Sequence, residues 1–569
     1  MKEFIKQEWL YLFMIIGLAV LTFMQVSTFR FGFFTAYDEA YFLLKLQEAY
    51  DMSCITGKSQ WNLIAVHWFP YLDLTSKVNS CLASVILLGL SVVFVTVTAC
   101  VIYDKKRVLR YLATAWLLLF GVTIGLDYVS MQAAVLTWAL CALMLFYKCT
   151  IPWLKSLFAV LCGVCIGFSL FIIIPAALVL LAGIAVLIVV SFWNEWRRML
   201  LYIGSGVTGV LLTLLYMHVV VCPLGDILDA MLFTASYIGK SGYSYDGVSF
   251  MLQYGLFFRD CLFVMLAFVG AFWLSKRINN KWIGGIVYVA MILIYNHYQV
   301  KPLISPSMFA MSLPLVPFLF GNLQNFQWRD FQKADTWFYL FVFAFPLIAS
   351  FGTNTALSGR IHCFIAAWLF LWFEYEYNHP QEDYKRVFAA VLLLYMIPLS
   401  ETYKAYMNRD DSYHFTRGNK YFAEIALSEK QADYFNHVYD ILEQYNYQPR
   451  QSAVLTAVYD YCCLYAFDAV NAANYHQVQN FAYFPKEKMI EPDFIFLCKW
   501  DSIVMAKDLE AMPWGWPEEF DKYYIGTPEP DDAPWITNAE LEMRHLYCRK
   551  SLKKTQFQTR DVVGAPSGQ

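Results

Sequence analysis

CLASVILLGLSVVFVTVTACVIYDKKR, residues 81–107, decides the class of fold, because a long apolar run ends there in a cluster of basic residues. As a helix, the apolar part would be roughly 34 Å long at about 1.5 Å per residue, and the hydrocarbon core of a bilayer is about 30 Å thick. Lipid offers no partner for backbone N–H and C=O groups, so a helix is expected rather than an open strand. Residues 81–103 therefore predict a membrane span whose end at Lys105, Lys106 and Arg107 faces the cytoplasm.

Comparable apolar runs recur throughout residues 1–400. The 569-residue chain is 59% hydrophobic and only 15% charged, with a mean hydropathy of +0.44. Its net charge of −3 argues against a nucleic-acid partner, which would need a basic face. We expect an α-helical polytopic membrane protein with about thirteen transmembrane helices. These lie at roughly 9–29, 81–103, 109–126, 130–147, 156–174, 176–193, 199–221, 259–275, 281–299, 303–321, 336–350, 361–376 and 386–400.

Basic residues in alternate short connections predict the sidedness of the spans. The connections with this bias lie at 105–107, 148–155, 197–198, 276–281, 329–333 and 385–386. If these are cytoplasmic, the loop at 30–80 is external, and an odd number of spans places the C-terminal tail on the same side. We therefore expect a multi-pass protein of the plasma (inner) membrane with a cytoplasmic N-terminus and an extracytoplasmic C-terminal domain.

The tail, residues 401–569, is much more polar than the preceding chain. Charged and turn-forming clusters such as 527–532 belong in water. Short apolar runs at 452–458 and 493–498 predict buried strands, and 428–445 predicts an amphipathic helix with Ser428 as its N-cap. The tail is expected to be a small α/β domain on the external face of the helical bundle.

An acidic pair follows the first predicted span directly, in FFTAYDEAYFLLK, residues 33–45. Two adjacent carboxylates, Asp38 and Glu39, flanked by aromatic residues at a membrane surface are costly to hold and indicate a functional site. An equally ordinary interpretation is the first turn of a helix, where acidic side chains interact favourably with the helix dipole.

The sequence around this pair, Tyr37-Asp38-Glu39-Ala40-Tyr41, resembles the first-loop motif of GT-C glycosyltransferases. The resemblance is to the group of protein O-mannosyltransferases and lipid A aminoarabinose transferases, which use sugars carried on polyprenyl phosphate. Two further segments agree with that group: HWFPYL at 67–72, with its His, and GLDY at 125–128, with an acidic residue at the start of the fourth span. Asp127 also suits a helix N-cap, so that alternative stays open.

The resemblance implies an inverting transfer of sugar from a polyprenyl-phosphate donor on the extracytoplasmic face, within a GT-C-like domain at 1–400. It implies Asp38 as the base, with Glu39 and Asp127 orienting the acceptor, which is a lipid, a glycan or a protein. It also leaves open a divalent cation shared by Asp38 and Asp127, as some GT-C enzymes use.

The leaving phosphate calls for cations or hydrogen-bond donors at the external boundary. The candidates are His67, Lys240, Arg259, Lys301, Arg360 and His362. Each basic residue near a span end also fits simple anchoring to lipid headgroups. The chain departs from the group in having only Pro70 where paired prolines are usual, and in lacking a Lys in the 167–175 hairpin.

Other functions fit the helix count as well. A transporter or flippase of lipid-linked glycans would show paired halves and ionisable residues at mid-membrane depth. Here no two-fold repeat is visible and the candidate ionisable residues lie at the outer boundary, which favours surface chemistry. A surface-glycan polymerase or ligase is a nearer variant. Metal binding has little support, since Cys162 and Cys165 lie in an apolar run without a second pair.

Overall fold

The computed structural model describes residues 2–30, 38–51, 60–119, 125–240, 333–351, 361–378, 412–456, 461–472, 490–498, 509–526 except 511 and 513, and 544–554, with scattered positions at 251–290. Some side chains within these ranges are outside the description, including those of Asp38, Glu39, Lys240 and His362.

The first part of the described chain is helical. Its helices are α1 Lys2–Ser27, α2 Asp38–Asp51, α3 Trp61–Trp68, α4 Lys77–Ile102, α5 Val108–Leu119, α6 Tyr128–Lys148, α7 Pro152–Ile172, α8 Ile174–Phe192, α9 Trp196–Tyr216, α10 Leu224–Lys240, α11 Ala334–Ala349 and α12 Ala366–Asn378. A π-helical turn, Met217–Val221, extends α9, and a 3-10 turn, Ile361–Phe364, precedes α12.

Within the described residues, five helices are long and apolar enough to cross a membrane. They are Lys77–Ile102, Tyr128–Lys148, Pro152–Ile172, Ile174–Phe192 and Trp196–Val221. The apolar segments Tyr11–Ser27 and Ala334–Ala349 are shorter. These elements agree with seven of the predicted spans, whereas the spans predicted at 303–321 and 386–400 lie outside the described residues, and the total of thirteen stays a prediction.

The hairpin between the predicted spans 156–174 and 176–193 is confirmed. α7 ends at Ile172, Ile173 takes an extended conformation, and α8 begins at Ile174 with Pro175 in its first turn. Proline is tolerated there because first-turn N–H groups have no intrahelical partner.

The helices of the bundle pack around a large apolar core, and one end of several of them forms a second apolar cluster. α7 lies against α6 and α9, α4 against α5 and α6, and α11 against α8 and α12. Glycines allow the closest of these approaches, since a Cβ added at Gly163 of α7 would lie 2.1 Å from the carbonyl oxygen of Gly206 on α9. Large apolar side chains such as Phe94, Val101 and Leu211 are exposed on the outside of the bundle. Such a surface is compatible with lipid but not with water.

The C-terminal region, residues 412–554, contains a five-stranded mixed sheet in the order β2-β1-β3-β5-β4. The strands are β1 Ala453–Thr456, β2 Val470–Asn471, β3 Phe494–Cys498, β4 Phe520–Tyr524 and β5 Arg544–Arg549, and the helices are α13 Glu429–Gln444 and α14 Tyr461–Phe467. β1 is parallel to β2 and β3, while β5 is antiparallel to β3 and β4.

Three local predictions for this region are confirmed. β1 and β3 lie within the two apolar runs, and α13 begins after Ser428, whose hydroxyl accepts from Gln431 N in a capping box. The apolar face of α13 is buried against α14 and the sheet, which is why its polar sequence still forms a stable helix.

Candidate functional site

The acidic pair begins α2, a helix buried on two sides. Ala40 and Leu43, on one side, belong to the apolar core of the C-terminal region. Leu46 and Ala49, on the other side, belong to a cluster formed with α3 and one end of the bundle helices. α2 therefore lies between the bundle and the C-terminal region, and Asp38 is its first residue.

Contacts of α2 bring it together with α3 and with the start of α6. The Asn62 amide on α3 donates to the Lys45 carbonyl at 2.8 Å. The Phe42 ring lies 5.9 Å from the ring of Trp61 and 5.9 Å from that of Tyr128, centroid to centroid. Three segments chosen from the sequence, those of Asp38, His67 and Asp127, are thus neighbours in the fold.

Asp127 is the N-cap of α6. Its Oδ1 accepts from Ser130 N at 2.6 Å, and its own N–H donates to Ser130 Oγ at 2.9 Å. The residue is buried, with 7% exposure. This confirms the structural alternative for Asp127, since an N-cap supplies an acceptor to an otherwise unpaired helix N–H. A further role in orienting an acceptor stays a prediction.

His67 lies in the last turn of α3 and is half-buried. Its Nδ1 is 2.8 Å from the carbonyl oxygen of Leu63. A carbonyl can only accept, so Nδ1 carries the hydrogen, and Nε2 is an acceptor when the ring is neutral. His67 can therefore donate to a phosphate through Nε2 only in its protonated form.

The structure describes the positions of only some of the other predicted cations. Arg259 is exposed on a helical segment, and Lys240 is the last residue of α10. His362 is part of the 3-10 turn before α12. Lys301 and Arg360 lie outside the described residues, so the prediction that these residues bind a phosphate is not tested.

Sequence reasoning missed a cavity of about 850 Å³ between the first-loop segment and the C-terminal region. It is lined by α2 residues between 44 and 50, by the turn at 70–75, and by residues 419–421, 450 and 468–471. The polar side chains come from distant parts of the chain and form no local motif. Lys77, a fully buried cation in the first turn of α4, was missed as well.

Within the described part of the chain, no group of three or more His, Cys, Asp or Glu side chains is arranged to hold a metal ion. Cys162 is buried and Cys165 half-buried, both within α7, as free thiols. Oδ1 of Asp127 already accepts a hydrogen bond from Ser130 N as the N-cap of α6. The proposed sharing of a divalent cation between Asp127 and Asp38 stays untested, because the Asp38 side chain is outside the description.

Comparison with known proteins gives distant structural likenesses. No protein-family model matches the chain, and no curated protein matches its sequence. An oligosaccharyltransferase from Archaeoglobus fulgidus, solved with Zn and sulfate, is 13% identical with a TM-score of 0.46, over 85% of this chain and 68% of that one.

ArnT from Cupriavidus metallidurans is similar over 95% of this chain and 99% of its own. Its apo structure is 11% identical with a TM-score of 0.48, and its structure bound to undecaprenyl phosphate is 10% identical with a TM-score of 0.47. Both proteins belong to the GT-C superfamily that the first-loop motif resembles. At these TM-scores the likeness alone assigns neither an activity nor a residue role.

Proposed function

We propose that the chain is a membrane glycosyltransferase of GT-C type. It would move a sugar from a polyprenyl-phosphate donor to a hydroxyl or phosphate of an acceptor on the extracytoplasmic face. The observation that carries this proposal is the position of the acidic pair: Asp38 and Glu39 open a helix that is buried between the apolar bundle and a polar, sheet-containing region.

The arrangement of the bundle supports an external location for this pair. α4 is 26 residues long, or roughly 39 Å at about 1.5 Å per residue. Its first residue, Lys77, follows the turn that contacts α2, and its last turn precedes the basic cluster Lys105–Arg107. The acidic pair and the basic cluster are therefore at opposite ends of one span, and the basic end is the one expected in the cytoplasm.

The proposed reaction is one direct displacement. The acceptor oxygen attacks the anomeric carbon of the sugar, and a C–O bond forms there as the bond to the phosphate oxygen breaks. The acceptor proton passes to the Asp38 carboxylate, and polyprenyl phosphate leaves with the bonding electron pair. A single displacement inverts the anomeric centre, and a positioned base typically contributes about 10²–10⁴ in rate.

The leaving phosphate requires positive charge or donors nearby. His67 is the favoured group, because α3 is packed against α2 and the Leu63 carbonyl fixes the ring orientation. Arg259, Lys240, Lys301, Arg360 and His362 are kept as further candidates. The complex of ArnT with undecaprenyl phosphate suggests that lipid as the donor carrier to test first.

The test is sugar transfer by the purified full-length chain in vesicles that contain a labelled undecaprenyl-phosphate sugar. Asp38→Asn is expected to lower the transfer rate by about 10²-fold or more, because the amide cannot take the acceptor proton. Glu195→Gln is the matched control, since this acid precedes α9 and is exposed at the end of the bundle expected to be cytoplasmic.

The outcomes separate clearly. If the Asp38→Asn chain is expressed normally and unfolds under the same conditions as the unmodified chain but transfers no sugar, the assignment of Asp38 as the base is supported. Undiminished transfer by a correctly inserted Asp38→Asn chain would remove Asp38 from the mechanism. An equal loss in Glu195→Gln would show that the assay reports general damage to the bundle.

A further inference from the structure

The cavity between the first-loop segment and the C-terminal region has a built, rigid rim. The turn at 69–75 is held by hydroxyl groups of tyrosines from both sides. Tyr50 of α2 donates to the Leu72 carbonyl at 2.9 Å and accepts from Leu74 N at 3.1 Å. From the C-terminal region, Tyr465 donates to the Thr75 carbonyl at 2.5 Å.

This turn presents an aromatic ring to the cavity opening. Tyr71 lines the cavity and is 97% exposed, although the turn that carries it is anchored. Asp73, two residues later, accepts from the Tyr421 hydroxyl of the opposite wall and from Thr75 Oγ1. Because the backbone of this turn is held, stacking of a ligand on the ring has to order only the side-chain torsions of Tyr71.

The opposite wall contains two non-glycine residues in the left-handed region, Arg450 with φ of 63° and Asp468 with φ of 56°. They pair with each other, Arg450 Nε to Asp468 Oδ2 at 2.7 Å and Arg450 N to the Asp468 carbonyl at 2.7 Å. Asp468 Oδ1 also accepts from Gln47 of α2 at 3.2 Å. Asp468 follows the last residue of α14, where a left-handed residue commonly ends a helix and where Ala469 N donates to the Leu464 carbonyl. The left-handed conformation of Arg450 is uncommon for a non-glycine residue.

The charges of the lining argue against a phosphate ligand. Two cations, Lys420 and Arg450, face three carboxylates, Glu48, Asp73 and Asp468, so the cavity has no excess positive charge to attract a phosphate. Carboxylates accept hydrogen bonds, and side-chain amides both donate and accept them, which suits a ligand with many hydroxyl groups. Asn471 is an amide side chain of this lining, whereas Asn419 is buried and its Oδ1 accepts from Tyr421 N.

We propose that this cavity binds an uncharged oligosaccharide, with Tyr71 as a stacking face and the Arg450–Asp468 pair as hydrogen-bonding groups. The proposal rests on the glycosyltransferase function and names a class of acceptor: one that carries a neutral glycan. Glu48 is ten residues from Asp38, about 15 Å along α2 at 1.5 Å per residue. The cavity would therefore hold part of the acceptor at a distance from the reacting hydroxyl.

The experiment applies the full-length chain in detergent to an array of uncharged and anionic oligosaccharides. We expect binding to uncharged members, weakened roughly fivefold or more by Tyr71→Ala. Arg450→Gly should weaken binding similarly while its backbone stays unstrained, since glycine adopts positive φ readily. Tyr524→Ala is the control, because this tyrosine is 61% exposed on β4, away from the cavity.

Three results would overturn the proposal: no binding to any uncharged oligosaccharide, binding to anionic members only, or binding that neither Tyr71→Ala nor Arg450→Gly weakens. The Asp38→Asn chain separates this proposal from the proposed function, because it should bind the array normally while losing transfer. If the unmodified chain transfers sugar but does not bind the array, the cavity proposal alone is contradicted. If the unmodified chain binds the array but transfers no sugar, the catalytic proposal alone is contradicted.

Discussion

A buried ionic triad joins α1, α5 and α12 at the end of the bundle opposite the acidic pair. Arg110 Nη2 donates to Glu8 Oε1 at 2.7 Å, and its Nη1 donates to Glu376 Oε1. The three side chains are at most 9% exposed, and the guanidinium lies 5.0 Å from the centroid of the Tyr11 ring. We predict that Arg110→Met lowers the free energy of unfolding by about 3–5 kcal/mol, because two buried carboxylates lose their counter-charge.

The matched control is an exposed pair of the same chemistry. Arg198 pairs with Glu195 three residues away, and their side chains are 57% and 50% exposed. Arg198→Met should cost only about 0–1 kcal/mol, because solvent screens such pairs. Combining Arg110→Met with Glu8→Gln and Glu376→Gln should recover much of the lost stability, since no buried charge then lacks a partner.

The assay is denaturant unfolding of the full-length chain in detergent, followed by tryptophan fluorescence. A difference of about 4 kcal/mol between Arg110→Met and Arg198→Met corresponds to roughly a thousandfold change in the unfolding equilibrium. Equal costs for the two arginine variants would refute the reasoning that burial makes the triad important.

Two further predictions concern a helix crossing and a histidine. Gly163→Ala should destabilise the bundle by about 1–3 kcal/mol, because the added Cβ would lie 2.1 Å from the Gly206 carbonyl oxygen. Gly204→Ala is the control and should be tolerated, since a Cβ there would have no atom within 4 Å. Equal thermal unfolding temperatures for the two variants would contradict this prediction. Burial, together with the charge of Lys522, lowers the pKa of His545 from its ordinary 6.5. Below pH 6.5 the unfolded chain therefore binds a proton more readily than the folded chain, and the free energy of unfolding should fall as the pH drops. His545→Phe should reduce this pH dependence in thermal unfolding at pH 5–8, and an unchanged dependence in the variant would contradict the prediction.

The elements that were predicted from the sequence are those whose structure is determined by neighbouring residues in the chain. An apolar run of span length dictates a helix in lipid, so α4 and the α7–α8 hairpin could be placed within a few residues. The same holds for α13, where Ser428 and the amphipathic pattern mark the start of the helix. The acidic motif was located correctly at the start of α2, although the position alone does not distinguish catalysis from a favourable first turn.

The parts that sequence reasoning missed depend on contacts between distant residues. Gln47 and Asp468 are 421 positions apart, and nothing near either residue indicates that they meet. The left-handed conformation of Arg450 has no sequence signature, because arginine is not a residue that favours it. For Asp127, the N-cap and the functional interpretation predict the same residue type, so only the hydrogen bonds to Ser130 could show that it caps α6.

The C-terminal region contributes to the structure of the first-loop segment, because it completes the burial of α2. Leu43 and Leu44 are buried in the core of that region, and burial of each leucine contributes about 1.5–3 kcal/mol. The Ala426 N–H also donates to the Arg30 carbonyl at 2.7 Å, just after α1, so both ends of the segment that contains the acidic pair are tied to the same region. The position of the Asp38 backbone relative to the bundle therefore depends on packing supplied from more than 370 residues further along the chain. A ligand bound between α2 and the C-terminal region would therefore contact the same residues that hold α2 in place.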